Sequence, residues 1–307
     1  MFLKKPAAKL NQIPRGFIAA CVVPTLLLAF IFMILPTLSA LFMSFTNITS
    51  ISVRGNTRFI GLENYIYMFT RDRLFLQALA NTLKLIAVVP VVTVFTGLCF
   101  AALLTQTKLR ERDVYRILFF LPSVISLTVV GIVWATLFDP RSSGVINRFI
   151  GIFGAEHVMW LGEERFALWC IALVLVWQAA GYYMVMHVAA IDSISHDIYE
   201  AARIDGANQI NIFFRITIPL LKDTIGITFV LSLSGTINLS YILSNIMTNA
   251  GPGNSTLVLI QHMYRSAFVM SANFGYAMTI TVFSLCLAFL LSSVSRKLSY
   301  KNENMQG

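Results

Sequence analysis

Residues 79–105 read LANTLKLIAVVPVVTVFTGLCFAALLT, and a single charge, Lys84, stands near one end of the stretch. A helix crossing a hydrocarbon core of about 30 Å needs about 20 apolar residues. The segment is therefore long enough to span a bilayer and too apolar to face water, and Lys84 is close enough to its edge to reach the interface by snorkelling. Working outward, five more stretches read the same way: 17–45, 117–138, 167–191, 224–248 and 272–295. The first holds Pro24 and Pro36 and is longer than a signal-peptide apolar region, so it reads as a kinked span and not as a cleaved leader.

The composition agrees with lipid as the solvent. Of 307 residues 57% are hydrophobic and 12% charged, with mean hydropathy +0.75, whereas a soluble domain carries about 25% charge. These values exclude a nucleic-acid-binding module, a disordered protein and a secreted disulfide scaffold. Cys21, Cys99, Cys170 and Cys286 all lie in apolar runs at long spacing and read as small buried hydrophobes. The net charge of +9 is informative through its placement. Fourteen of the 23 Lys and Arg fall on the side that holds both termini: Lys4, Lys5, Lys9, Arg15, Lys108, Arg110, Arg112, Arg116, Arg203, Arg215, Lys222, Arg296, Lys297 and Lys301. Eight fall on the other, whose segments are longer: Arg54, Arg58, Arg71, Arg73, Arg141, Arg148, Arg165 and Arg265. By the positive-inside rule both termini are cytoplasmic. The expected fold is all-α, one polytopic membrane helical bundle of six transmembrane helices. It has a cytoplasmic N-terminus over 1–16, a transmembrane domain over 17–295 with a cytoplasmic loop at 192–223, and a cytoplasmic tail at 296–307.

Several chemistries lack their residues. The sequence has no G-x-x-x-x-G-K-[ST], H-E-x-x-H, G-x-S-x-G or C-x-x-C, and His157, His187, His196 and His262 are scattered. No catalytic residue and no metal site is expected. His187, inside the fourth span, reads as a hydrogen-bonded structural histidine more readily than as a proton relay.

Between the fourth and fifth spans, Tyr199 to Leu221 reads YEAARIDGANQINIFFRITIPLL. Ala201 and Ala202 favour helix, and Gly206 permits a positive φ. Ile210, Phe213, Phe214, Ile216 and Ile218 then form an apolar stripe before Pro219, which should end the helix ahead of the next span. This is a helix, a turn and a second amphipathic helix at the membrane face, suited to lipid headgroups or to a soluble partner.

Glu200-Ala201-Ala202, three residues, Gly206, nine residues, Ile216, then Ile218-Pro219 resembles the EAA loop of ABC importer permeases, EAA-x3-G-x9-I-x-L-P, with Ile218 in place of Leu. The longer run YEAARIDGAN is similar to the carbohydrate-uptake branch. So are Gly61-Leu62-Glu63-Asn64-Tyr65, Asn81-Thr82-Leu83, Arg116, Leu121-Pro122, Trp134 and Thr248-Asn249-Ala250-Gly251-Pro252. The GLENY piece resembles the MalF/UgpA type of subunit. Two departures stand out: Ile194-Ser195-His196-Asp197 lacks the proline usual before the EAA glutamate, and Ala250 replaces the first glycine of a Gly-Gly-Pro.

The resemblance implies a type I ABC importer permease fold in a bacterial cytoplasmic (inner) membrane. The implied partners are a second, different permease subunit, two ABC ATPase subunits and an extracytoplasmic sugar-binding protein, with membrane lipid around them and no nucleic acid. This chain would need no cofactor; ATP and Mg2+ would sit in the ATPases. The implied coupling residues are Glu200, Ala201, Ala202, Asp205, Gly206, Ala207, Ile216 and Pro219. The fifth span is polar for lipid, and its Ser234, Asn238, Tyr241 and Asn245, spaced four, three and four, share one helical face. With Ser240, and with Gln178, Gly181 and Tyr182 of the fourth span, they are the expected substrate pathway, since sugar rings stack on aromatic faces and sugar hydroxyls need paired polar groups. Each also has a plainer reading as interhelical glue. The competing functions are a permease of the same superfamily for a solute such as glycerol phosphate, which would call for basic residues along the pathway, and, from a different class, a membrane-embedded enzyme or a channel.

Overall fold

The computed structural model describes residues 15–49, 57–106, 110–141, 144–270 and 272–301. Lys4, Lys5, Lys9, Arg54 and Lys108 of the charge count, and most of the two terminal segments, lie outside them.

The elements follow one another as α1 (Arg15–Ala29), a π-helical turn (Phe30–Ile34), α2 (Leu35–Ser44), α3 (Glu63–Thr70) and α4 (Arg73–Gln106). Then come α5 (Arg112–Val124), α6 (Leu127–Leu137), α7 (Val145–Ile152), α8 (Glu164–Asp192), α9 (His196–Ile204) and α10 (Gln209–Ile212). A second π-helical turn (Phe213–Thr217) leads to α11 (Ile218–Leu220), α12 (Lys222–Met247), α13 (Leu259–Arg265), a third π-helical turn (Ser266–Met270) and α14 (Phe274–Lys301). Among the described residues five helices are long and apolar enough to cross a membrane, and the count is six if one pair bent by more than 40° is taken as a single broken span.

Proline chemistry explains two of the irregularities. The first two π-helical turns each end two residues before a proline, Pro36 and Pro219. Pro36 cannot donate to the carbonyl four residues back, and the ladder widens ahead of it, Leu35 N–H bonding Phe30 O. Ile218 N–H bonds Phe213 O in the same way. Pro219 consequently does not end the helix as expected; the break comes two residues later, at Leu221.

The span expected over 117–138 is made of two helices, α5 and α6, bent by 97°. Pro122 lies in the last turn of α5, and Ile125 and Ser126 are extended, with ψ 138° and 130°. Both halves are apolar, so hydropathy alone runs them together.

α8 lies along α4 and also packs on α5, α6 and α12. The approach to α4 is close at Gly97, where a Cβ would stand 2.9 Å from Ala180 O and 3.0 Å from Met184 N. Polar joints fix the rest. His187 is buried, with Nε2 3.1 Å from Thr228 Oγ1, tying α8 to α12. Asn64 Nδ2 donates to Ser44 O and Thr46 O, and Tyr65 OH meets Ser44 Oγ at 2.9 Å, so the GLENY segment clamps the end of α2. Asn81 donates to Leu257 O at 3.0 Å and Thr82 Oγ1 accepts from Leu259 N–H at 3.0 Å, holding the α12–α13 connection against α4. By contrast, no residue from 16 to 43 is buried within the chain.

Where α4, α13 and α14 meet, Asp72 Oδ2 accepts from His262 Nε2 at 2.7 Å and from the Tyr276 hydroxyl, while Asp72 Oδ1 accepts from Phe75 N–H at 3.0 Å. Burial pushes the Asp72 carboxyl up, but the Tyr276 hydroxyl, His262 and the Phe75 amide outweigh it and hold the group below its ordinary value of 3.8. A carboxylate depressed in the folded state contributes stability above its unfolded pKa and loses it as pH falls through the folded value. The thermal midpoint of the detergent-purified protein should therefore drop as the pH falls below about 5 and on through the depressed folded-state value, and Asp72→Asn should flatten that drop. An equal drop in the variant would assign it to other carboxylates.

Candidate functional site

Two constellations emerge, one ahead of α12 and one along its length. The first is the turn after α9. Gly206 N–H bonds Arg203 O at 3.1 Å and Ala207 N–H bonds Ala202 O at 2.9 Å, with Gly206 at φ +81°. This is a Schellman termination, in which the residue after the cap must be left-handed and the next folds back on the helix. Ala202 and Ala207 sit in one apolar cluster, supplying the contact that accompanies the motif. The spacing from Ala202 to Gly206 and Ala207 is therefore the spacing of a helix stop. The following helix is capped by Asn208, whose Oδ1 accepts from Asn211 N–H at 2.8 Å.

The turn is attached to the bundle through its back. Tyr199, Ala202, Ile212 and Leu221 are buried together with Leu98, Ala101 and Leu104 of α4 and Met184, Val188 and Ile191 of α8. Tyr199 OH lies 3.4 Å from Thr217 Oγ1, and Ile216 is half-buried on the same cluster. Nearby, Arg112 Nη2 pairs with Asp192 at 3.3 Å. Outward from the turn project Glu200, Ala201, Arg203 and Asp205, all exposed, and Pro219 is exposed at the far end of the loop. Among the described residues Glu200 and Asp205 form no ion pair. The sequence reading did not single out Ile204, which is 85% exposed. Its signal is an aliphatic residue directly before the cap, on the charged side of the helix.

The second constellation is the open face of α12. Asn238 and Asn245 are exposed, while Ser234 and Tyr241 are half-buried, Tyr241 packing in part on the chain's own apolar cluster. The Asn238 amide donates to Ser234 O at 2.9 Å, an intrahelical bond. Ser240 is not on this face: it is buried and donates to Ile237 O at 3.1 Å. Gly181 is covered as well: a Cβ there would stand 1.9 Å from Phe119 O and 2.7 Å from Phe119 C. Its bareness lets α5 cross α8. Gln178 is half-buried and Tyr182 exposed on α8, and among the described residues no hydrogen bond or ring contact joins them to the α12 face. The α8 tyrosine that reaches α12 is Tyr183, buried beside Ser232, with which its hydroxyl interacts. They line a cavity of about 30 Å³ with Thr93, Gly235 and Thr236.

Beyond the face, a polar cluster organises the connection to α13. Ser244 Oγ stands 2.6 Å from both Thr256 O and Gln261 Oε1, and Thr248 Oγ1 meets Thr256 Oγ1 at 2.6 Å. Ala250, in the place of the resembling family's glycine, is buried at φ +69°.

Known proteins share this fold. Residues 94–300 match the family model described as binding-protein-dependent transport system inner membrane component. Over 270 residues the chain is 33% identical to the probable ABC transporter permease protein YurN of Bacillus subtilis strain 168, covering 87% of this chain and 90% of that one. Over 281 residues it is 32% identical to the diacetylchitobiose uptake system permease protein NgcF of Streptomyces coelicolor, covering 87% and 78%. A crystal structure of a bacterial ABC transporter involved in import of the acidic polysaccharide alginate superposes with TM-score 0.80 over 93% of this chain and 96% of that one, at 22% identity, which establishes the shared fold. Taken with the broken third span and the Schellman turn, these matches make the chain a multi-pass, non-enzymatic permease belonging to the binding-protein-dependent transport system inner membrane component family.

Proposed function

We propose that this chain forms the translocation pathway for a carbohydrate together with a second, different permease subunit, and that two separate cytoplasmic ATPases drive it. The observation that carries the reading is the turn at Glu200–Ala207: its back is packed into α4 and α8 while Glu200, Ala201, Ile204 and Asp205 stand free. A free edge on a rigid mount suits an ATPase cleft, so that a movement of the ATPase on binding ATP and Mg2+ is passed on as a rotation of the helices. Glu200 and Asp205 would meet donors on the ATPase and Ile204 an apolar pocket. The excess of Lys and Arg supports a cytoplasmic side for this turn and both termini, and a sugar-binding protein would dock on the opposite side.

Carbohydrate as the cargo is supported by relatives named for diacetylchitobiose, lactose and arabinooligosaccharides, and by the chemistry of the α12 face. Two carboxamides, a hydroxyl and a phenol on one side of an apolar helix are costly against lipid and match sugar hydroxyls. The test is reconstitution with the cognate ATPases, second permease and binding protein, with Asn238→Leu compared against the native chain. A lost hydrogen bond of about 0.5–1.5 kcal/mol should lower uptake about two- to twelvefold and leave complex yield unchanged. A parallel loss of uptake and yield would make Asn238 helix glue, and ATP turnover by this chain alone would overturn the division of labour.

A further inference from the structure

The ring of Tyr241, on the open face of α12, packs against a residue from another element. Tyr264 of α13 lies with its centroid 5.7 Å away at an interplanar angle of 39°, and Phe268 follows 5.1 Å beyond Tyr264. Tyr264 is 41% exposed and Phe268 61% exposed, so neither ring is consumed by the core. Three aromatic rings thus run in sequence from the polar face of α12 onto the α13 hairpin. The hairpin under them is fixed by Asn81, Thr82, Ser244 and the Asp72–His262 pair. A shelf needs such backing, because rings that move freely lose on binding the entropy that stacking would return.

Two features set the strip apart from rings simply facing hydrocarbon. Tyr241 shares its helix face with Asn238 and Asn245, exposed carboxamides of which only the Asn238 NH2 has a partner, the Ser234 carbonyl of its own helix, so that lipid would leave the remaining amide groups unpaired. Arg265, next to Tyr264, donates to Asn254 Oδ1 at 3.3 Å, and among the described residues pairs with no carboxylate. A guanidinium held by a neutral amide belongs at a watery boundary.

Resting on the carbohydrate reading above, we infer that Tyr241, Tyr264 and Phe268 form an extended stacking shelf that takes the second and later rings of an oligosaccharide while the first lies against Asn238. Tyr264 is then a chain-length determinant. Its ring meets the apolar C–H face of a sugar unit that a monosaccharide does not possess, so its removal is felt only by longer cargo.

The experiment uses the complete reconstituted complex with a panel of mono- to pentasaccharides of glucose, galactose, N-acetylglucosamine and arabinose, each supplied with saturating binding protein. Uptake and sugar-stimulated ATPase activity are normalised to the amount of assembled complex. Tyr264→Ala should lower uptake of the transported oligosaccharides about three- to tenfold and leave any transported monosaccharide unchanged. Tyr264→Phe should retain native uptake at every length. Tyr264→Leu, which keeps apolar bulk without a ring face, should behave as the alanine variant and so separates stacking from packing. Equal losses at every length, native uptake by Tyr264→Leu, or dissociation of the second permease would assign Tyr264 to a lipid or subunit contact and overturn the shelf with the carbohydrate reading intact. A native complex that moves only monosaccharides overturns the shelf as well, and one that moves no sugar in the panel overturns both.

Discussion

Uptake is expected to fall to background when Gly206 is replaced by valine, and when Glu200 is replaced by lysine, while both variants reach the membrane in native amounts. The two fail for different physical reasons. At Gly206 a Cβ would meet nothing within 4 Å, so the effect comes from the backbone: a β-branched residue at φ +81° costs of order 1–3 kcal/mol. The chain relieves this by giving up the bonds from Gly206 N–H to Arg203 O and from Ala207 N–H to Ala202 O. Unwinding the turn removes Ile204 and Asp205 from their place beside Glu200. Gly206→Ala, less strained than valine at the same φ, should retain part of the uptake. Glu200→Lys leaves the turn intact and reverses the charge on its free edge, so it should lose the ATPase on co-purification. Retention of the ATPase and of native uptake by Glu200→Lys would reduce Glu200 to a helix-dipole acid. Native uptake by Gly206→Val would show that the turn's shape is not what the ATPase reads.

The turn was legible in the sequence because local rules wrote it: the glycine needed for a left-handed residue and the small residues on either side of it lie within a few positions of one another. The apolar runs were legible for a related reason, since lipid imposes one length and one composition on every crossing. Legibility ends where the decisive partner is remote. Nothing near His262 points to Asp72, 190 residues away, and nothing near Tyr241 points to Tyr264, because the loop between them folds back. Thr82 reads as an ordinary polar residue of a span until Leu259 donates to it. The burial of Ser240 and of Gly181, away from the open face of α12, is likewise not written near them, because a residue's neighbours in sequence do not say which helix will cover it. The break in the third span escaped hydropathy, which registers what residues are made of and not where ψ turns extended.

The α5–α6 break makes Gly181 more consequential than a pathway residue, and Gly181→Ala is expected to destabilise the chain by about 1–3 kcal/mol or more. A single methyl at this position would press on Phe119 O at 1.9 Å, Phe119 C at 2.7 Å and Phe120 Cα at 2.9 Å, all backbone, with no flexible side chain to step aside. α5 would have to lift from α8, and Phe119 would be drawn from the parallel stack it makes on Phe100 of α4, 4.1 Å between centroids. α6 is held separately, at Gly131 against Leu243 and Ile246 of α12. Lifting α5 therefore strains the extended joint at Ile125 and Ser126 and does not carry both helices away together. Gly235→Ala is the control: in the middle of α12 its Cβ would meet nothing within 4 Å, and alanine in place of glycine favours a helix by roughly 0.5–1 kcal/mol. Thermal unfolding of the two variants in detergent should move in opposite directions from the native chain. If Gly181→Ala melts with the native protein, the crossing of α5 over α8 is loose enough to admit a methyl, and the bend must be set by the Pro122 turn alone.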